Sequence, residues 1–450
     1  MTDSSAKAPA IWDCIIVGGG PAGLFAASVA GAASVAGAAS ATGAAGSGFR
    51  ILVLEKSRAP GRKFLLSGAG QCNLTHSGSV EDFLPHYSGG LKPGSAGRFL
   101  KPSLYAFGPQ DLLAWFGAKG HEFETEENGK VFPVNRNAQA LLDSLAGAAV
   151  ENGAALRSSR RVLSIGREVF PGEGTLFTLA VERAAAPEST VSMETYRARR
   201  VLIATGGASY PGTGSTGDGY SLAASLGHAI QDPKPALAPI YIEDFHLASH
   251  AGLSFKNAGF AVRRGGALVL SRTGDLLITH QGLSGPLILD ASAATEAGDT
   301  VEIRFSSLGA GQFKTSFETL AAANPRKAVR TLVLELGLPK ALAESLCAMA
   351  GFGPEDRAAD APRAKRERLC VLACAHPMRI QRVGGFELAM ATAGGVALPE
   401  VNPSTMESRL VPGLYFAGET LDFVGDTGGY NLQAAFSTAF AAAKGLCLRP

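Results

Sequence analysis

A chain of 450 residues has room for two or three domains, each with its own core. Its 46% hydrophobic and 18% charged residues are those of an ordinary soluble globular protein, and a net charge of +2 gives no strong field to select nucleic acid or acidic lipid. Six cysteines, Cys14, Cys72, Cys347, Cys370, Cys374 and Cys447, fall in no zinc or CxxC spacing, so no disulfide framework or metal site is expected; Cys370 and Cys374 read as small core residues.

The segment Met1 to Ala10 lacks the basic and apolar regions of a secretory signal, and the Ala, Gly and Ser of Leu24 to Gly48 are too weakly hydrophobic to span a bilayer. A cytoplasmic protein that does not enter a membrane is the expectation. Ile11 to Val17 reads as the first strand and runs into Gly18-Gly-Gly20-Pro21-Ala22-Gly23, a G-x-G-x-x-G turn opening a helix. In such a turn the first glycine permits the bend, the second lets the backbone approach a pyrophosphate, and the third lets helix and strand pack closely.

Ser28 to Ala33, Ser34 to Ala39 and Ser40 to Ala45 are near-copies of one hexapeptide. They explain why the next strand, Arg50 to Leu54, delivers its acid Glu55 at 32 residues past Gly23, where about 20 is usual. Removing two units of six restores the ordinary spacing, with Glu55 on a ribose hydroxyl. The insert is expected to lengthen the first helix or bulge from its far end, frayed by its glycines.

Lys56, Arg62 and Lys63 follow, and Arg62 and Lys63 can neutralise a pyrophosphate. Ser67-Gly68-Ala-Gly70 lets backbone N–H groups approach a flat ring or an anion, and Cys72-Asn73-Leu74 completes the loop. Cys72 is either a reactive thiol beside a cofactor or a small packed residue. Arg161 to Ile165 and Leu176 to Val181 alternate as a small β meander, and Arg199 to Thr205-Gly206-Gly207 returns as an apolar strand ending at a turn. Gly214-Ser-Thr-Gly217-Asp-Gly219 then precedes a helix from Tyr220 to Leu226; it is either a second phosphate turn or a packing turn.

Short strands at Ile240 to Ile242, Phe260 to Arg263, Ala267 to Leu270 and Asp275 to Thr279 predict a β-barrel-like domain. His280, in Thr279 to Pro286, is a candidate proton donor or a structural histidine. Gln312 to His376 reads as a helical insertion broken by Pro325 and Pro339, with Arg363 to Arg368 a solvated face. Phe386 to Met390 and Thr392 to Val396 are expected to return through the barrel to the first sheet. Leu414 to Phe416 then forms a buried strand ending at Gly418-Glu419, and Gly428-Gly429-Tyr430-Asn431-Leu432 opens the last helix. The expected fold class is α/β: a Rossmann-like domain over 10–235 and 392–450, a barrel-like domain over 236–308 and 377–391, and a helical insertion over 309–376.

Four of these blocks, Gly61 to Thr75, Ala204 to Tyr220, Thr279 to Pro286 and Ala417 to Gln433, resemble the motifs of the YhiN/BaiN family of FAD-dependent oxidoreductases. The match runs in order from about residue 11 to 446; the repeat insert and Gln71, where many relatives have Arg, depart from it. The resemblance implies FAD, with NAD(P)H as electron donor. It places the backbone of Val162 at the adenine, Thr205 to Gly207 near ribose and pyrophosphate, and Glu419 on ribityl or phosphate oxygens. The N–H groups of Gly428 to Leu432 would then face the flavin pyrimidine. The implied chemistry is hydride transfer through flavin to an activated C=C of a small molecule or nucleobase. Ribosomal RNA as substrate and an FAD-dependent amine oxidase are alternatives. Oligomeric state cannot be read from the sequence.

Overall fold

The computed structural model describes residues 10–40, 49–184 and 192–447. They form two compact units, Met1–Lys234 with Met390–Pro450, and Pro235–Ala389.

The first unit is built on a sheet in which Ala155–Arg157, Ile51–Leu54, Ile11–Val17 and Ser192–Ile203 lie side by side and parallel. Cys14 to Val17 and Ile51 to Leu54 are buried throughout, as continuous apolar runs in a covered parallel sheet must be. Ser192–Ile203 has two further neighbours. Its last residues pair in parallel with Leu414–Phe416, Ile203 opposite Phe416, and its first half pairs antiparallel with Gly174–Arg183, which continues to Arg160–Phe170. The mixed α/β, Rossmann-like expectation and the meander are both present.

The helix Pro21–Ser40 begins with a proline at its first position, where the missing N–H costs nothing. It packs against the last helix, Tyr430–Cys447, through an edge-on Phe25–Phe436 pair with ring centroids 5.2 Å apart. The chain's opening and closing helices therefore share one core. The first two hexapeptide copies extend the helix to Ser40, and the rest of the third falls on 41–48, outside the described residues.

In the second unit Ile240–Ile242, Gly282–Ser284, Ala267–Ile278, Ser254–Arg264, Thr300–Arg304 and His376–Val383 close into a barrel. Ala267 to Leu270 and Asp275 to Thr279, expected as separate strands, belong to one continuous strand, Ala267–Ile278, bonded along Ser254–Arg264 across two register shifts. Helices Ala310–Ala323, Val329–Glu335, Lys340–Met349 and Arg363–Cys374 are inserted between two neighbouring barrel strands, whose ends meet at Ile303 and His376. Barrel and helices bury their apolar faces in one cluster that includes Phe260, Val301, Phe313, Leu342 and Leu372. One expectation fails: Phe386 to Met390 forms no strand, and Ala391–Val396 pairs with Ile230–Ala236 in a separate two-stranded sheet instead of rejoining the first one. Positive φ at Gly394 and Gly395, +90° and +128°, turns this segment off a regular strand path.

Candidate functional site

The three fingerprint glycines do different work. Gly18 has φ +110°, and a Cβ there would stand 2.4 Å from the Ala204 carbonyl oxygen. A Cβ on Gly23 would stand 2.0 Å from the Gly18 carbonyl oxygen, so both are required by the protein's own packing. Around Gly20 a Cβ would meet nothing within 4 Å. That open space lies at the N-terminus of the helix begun by Pro21 and the buried Ala22, where backbone N–H groups and the helix dipole favour an anion.

Glu55 ends the neighbouring strand with both carboxylate oxygens engaged. The Gly19 N–H donates to Oε2 (2.8 Å) and the Ser57 N–H to Oε1 (2.7 Å), which fixes the acid beside the glycine turn. An ionised carboxylate has about four acceptor sites, so each oxygen retains room for a hydroxyl. The structure thus fits a dinucleotide on two counts: a cradle that a methyl would fill, and a clamped acid next to it.

Lys56 turns elsewhere. Its Nζ donates to Thr216 Oγ1 (2.5 Å) and Asp218 Oδ2 (3.0 Å), and Arg161 Nε also reaches Asp218 (3.0 Å). Burial pushes the Asp218 carboxyl up, but the hydrogen bonds from Arg161, Thr216 and Lys56 outweigh it and hold the group down at about 2. In the same turn a Gly219 Cβ would stand 2.1 Å from Thr205 Oγ1 and a Gly214 Cβ 2.7 Å from Ser57 Oγ. A carboxylate at the first helical position repels a phosphate, and these glycines are explained by close approach. The packing-turn reading of Gly214 to Gly219 is the one the geometry supports. Arg160 meanwhile pairs with Glu194 (3.4 Å), an acid it shares with Arg183, and Arg157 meets the Tyr196 hydroxyl (2.7 Å).

The loop after Glu55 leaves Arg62 exposed and turns Lys63 inward. Ser67 is extended, then Gly68, Ala69 and Gly70 take φ of +56°, +55° and +88°, and Cys72 +58°. Ser67 Oγ donates to the Phe64 carbonyl (2.6 Å) and the Cys72 N–H to the Ser67 carbonyl (2.9 Å). Cys72 is fully buried, and burial pushes its thiol up to about 12, against the opposing Ser67 hydroxyl. The sulfur is a packed, protonated thiol in this geometry. Asn73 and Leu74 are buried too; the Leu74 N–H donates to the Val131 carbonyl (2.9 Å), and the Asn73 amide, oriented to satisfy both its ends, donates to the Thr75 carbonyl (3.0 Å).

Glu419, on the turn Gly418–Thr420 after the closing strand, joins the two ends of the sequence. Lys63 Nζ approaches its Oε2 and Oε1 at 2.8 and 3.0 Å, Ser209 Oγ donates to Oε1 (3.2 Å), and the Thr392 N–H donates to Oε1 (2.7 Å). Thr392 Oγ1 accepts from the N–H groups of Ala208 and Ser209, and a Cβ on Gly207 would stand 2.4 Å from that oxygen. Thr205 and Gly206 complete the turn, with Gly206 at φ +73°.

At the last helix Gly428 and Gly429 have φ +121° and +96°, and a Gly429 Cβ would meet Thr75 backbone at 2.5 Å. The Asn431 side chain clamps Gly425 through both its N–H and its carbonyl (2.8 Å each). Tyr430 is stacked on His76 and on His86, ring centroids 5.0 and 4.3 Å away, and Leu432 is partly buried. Gln433 Oε1 accepts from Thr75 Oγ1 (2.7 Å). Ser209, Thr392, His76, His86 and Gln433 were not singled out from sequence. Gln433 and Ser209 lie inside the motif blocks, but no spacing rule ties them to partners hundreds of residues away.

Val162 lies on Arg160–Phe170 opposite Val181, and a register shift follows it at Leu163, which is 43% exposed. His280 belongs to the second unit. It is exposed in the turn closed by the Thr279 N–H and the Gly282 carbonyl (2.9 Å) and has no hydrogen-bond partner among the described residues. The described residues hold no group of three or more His, Cys, Asp or Glu able to bind a metal ion, and no helix long and apolar enough to cross a membrane.

A Rossmann-type sheet with this glycine turn and clamped acid defines a dinucleotide-binding unit, and the family to which the chain belongs makes it that of an FAD-dependent oxidoreductase. The HI0933-like protein Rossmann domain matches residues 12–445, and the chain belongs to this family, which takes in the YhiN and BaiN proteins. It is 30% identical over 446 residues to the ribosomal RNA dihydrouridine synthase of Escherichia coli K12, covering 97% of this chain and 98% of that one. It is 28% identical over 443 residues to the 3-dehydro-bile acid delta(4,6)-reductase of Clostridium scindens, covering 97% and 99%. Among solved structures, 3-ketosteroid delta1-dehydrogenase from Sterolibacterium denitrificans shares the fold at TM-score 0.51 and 15% identity, covering 97% of this chain and 99% of that one.

Proposed function

We propose that this enzyme uses NAD(P)H to reduce an activated C=C, conjugated to a carbonyl, in its substrate. The two relatives' names support this reading, because dihydrouridine is uridine with one ring C=C saturated and a delta(4,6)-reductase removes C=C unsaturation. FAD, when bound, supplies reversible hydride chemistry, and the protein supplies position and electrostatics. The observation that carries the cofactor part of the proposal is the Lys63–Glu419 joint, which locks the loop after the first acid to the closing strand in the unit that holds the glycine turn, while the reaction rests on the relatives' names.

The residue roles follow from this geometry. Gly18, Gly20, Pro21, Ala22 and Gly23 would receive the pyrophosphate, with Arg62 free to add charge, and Glu55 would accept from a ribose hydroxyl. Lys56 holds the Gly214 to Gly219 turn in place. Ser67, Gly68, Gly70, Asn73 and Leu74 would present backbone along the ring, and Cys72 would fill space behind them. The backbone of Val162, beside its bulge, would line the adenine pocket. Thr205, Gly206, Gly207 and Gly418 let the backbone approach closely, while Glu419, held in place by Lys63, would orient ribityl hydroxyls. Gly428 to Leu432 bring a helix N-terminus to the pyrimidine edge, which favours negative charge there. His280 is the candidate that would hold a proton for the substrate carbon.

Anaerobic addition of NADPH or NADH should bleach the protein, and a conjugated enone should restore its colour faster than buffer alone. Amine-driven peroxide formation without nicotinamide oxidation would overturn the reading. The Escherichia coli relative favours a second substrate class, ribosomal RNA; loss of dihydrouridine from ribosomal RNA in a deletion strain would decide for it, and unchanged RNA would leave the small-molecule reading.

A further inference from the structure

We propose, resting on the reductase reading above, that His86, oriented by Asp426, lends a proton to the carbonyl oxygen conjugated to the substrate's C=C. His86 is fixed through ring and backbone alike. Its Nδ1 lies 2.9 Å from Asp426 Oδ2, and the Asp426 N–H donates to the His86 carbonyl (2.9 Å). The pair stands at the end of a short antiparallel ribbon in which Tyr87 faces Gly425 and Ser88 faces Val424. The imidazole lies on the Tyr430 ring, with centroids 4.3 Å apart and planes at 15°. Tyr430 is itself held by the stacked His76 ring (5.0 Å, 16°) and by the Tyr87 hydroxyl, which donates to the Tyr430 carbonyl (2.9 Å). His76 in turn packs on Gly428, where a Cβ would stand 3.3 Å from its Cδ2. These stacked rings are therefore built against the turn assigned to the flavin pyrimidine.

The chemistry follows from which ring nitrogen is engaged. An ionised carboxylate only accepts, so Nδ1 carries the hydrogen in the His86–Asp426 contact, and Nε2 is the nitrogen left to gain or lose a proton. Nε2 has no hydrogen-bond partner among the described residues, and with the side chain 41% exposed the ring is accessible to a ligand. Asp82 acts on His86 only at a distance. An imidazole oriented by a carboxylate, with its second nitrogen open, is the arrangement of general acid–base catalysis. A hydride, drawn from NAD(P)H through the cofactor, adds to the far carbon of the conjugated system and drives the C=C electrons onto the carbonyl oxygen. That oxygen takes the Nε2 proton. It returns the proton to Nε2 when the neighbouring carbon is protonated, the role for which His280 is the candidate. The sum is one hydride and one proton added to the substrate, and His86 ends as it began.

The test separates the two halves of the reaction in stopped-flow mixing of the purified flavoprotein. His86→Gln should retain FAD, bleach with NADPH or NADH as the wild type does, and recover its colour normally with ferricyanide, which accepts electrons and has no carbonyl. Recovery with cyclohex-2-enone should slow by roughly 100-fold. Asp426→Asn should slow the same step less, and the double variant should be no slower than His86→Gln alone, because Asp426 acts through the imidazole. A second readout needs no turnover. Phenol, whose ring oxygen stands in for the enolate, should bind the oxidised protein saturably in calorimetric titration and roughly tenfold more weakly to His86→Gln. Failure of the wild type to bleach would count against the reductase reading, and phenol affinity would still decide on His86. Wild-type recovery with the enone in His86→Gln, phenol affinity unchanged by that substitution, no saturable phenol binding, or additive losses in the double variant would each overturn the proposal.

Discussion

The two units spend their glycines differently. In the first, side chains at Gly18, Gly23, Gly97, Gly395 and Gly429 would collide with backbone atoms at 2.0 to 2.7 Å, so chain passes directly against chain. In the second, Gly252, Gly265, Gly266, Gly309, Gly311 and Gly337 face open space and serve mostly as turns, although Gly282 and Gly285 pack closely. The first unit is therefore organised around backbone presented at short range, as a nucleotide cradle requires. The second is organised around side chains filling one apolar cluster. A single methyl group should distinguish the two modes of construction.

The largest effect belongs to Gly23→Ala. The added methyl overlaps the Gly18 carbonyl at 2.0 Å, and the loss should reach roughly 3 kcal/mol or more, read as insoluble or colourless protein. Gly20→Ala makes the sharper comparison. Nothing in the protein opposes its methyl, so the melting temperature of the apoprotein should not change, while FAD affinity should fall by roughly 100-fold, about 3 kcal/mol. Wild-type affinity in Gly20→Ala would show that the open space is not the cofactor's.

The second unit should reveal itself through pH. Burial lowers the His376 imidazole from 6.5 to about 4, with the neighbouring His246 acting in the same direction and the Leu372 carbonyl opposing. A folded value below the unfolded one means that the unfolded chain binds more protons between them, so stability is complete above about 6.5 and is lost as pH falls toward 4. The opening free energy of the His376–Val383 strand, read from hydrogen exchange after correction for the intrinsic rate at each pH, should fall by on the order of 2 kcal/mol between pH 7 and 5, and His376→Gln should flatten that dependence.

A smaller effect is expected at the joint. The Lys63 and Glu419 side chains are 24% and 21% exposed, so solvent screens the pair. Lys63→Met or Glu419→Gln should each weaken FAD binding by about 1 kcal/mol, and the double variant by less than the sum. The smallest effect has the opposite sign: Gly311→Ala, in a helix with free space beside it, should stabilise the protein by about 0.5–1 kcal/mol in thermal melts.

How far the sequence could be read follows the same division. Ile11–Val17 was expected residue for residue, because its second half, Cys14 to Val17, is the unbroken apolar run of a buried parallel strand and glycine ends it. Ala267–Ile278 was divided in two because Ser271-Arg-Thr-Gly-Asp275 looks like a turn, whereas hydrogen bonds to the neighbouring strand carry the chain through it. Thr392 to Val396 was assigned to the wrong sheet for a related reason: the pattern of one segment does not name its partner. At the site, Lys63 and Glu419 were each singled out, yet their pairing across 356 residues is a product of the fold. The burial that keeps the Cys72 thiol protonated, and the ties of Lys56 to Asp218, likewise depend on what packs against them.

The most direct measurement is the visible spectrum of purified protein after reconstitution with FAD and removal of excess cofactor. A structured flavin band in stoichiometric amount, retained by the wild type and diminished in Gly20→Ala, is the predicted result. A colourless, folded wild-type protein would contradict the account at its base.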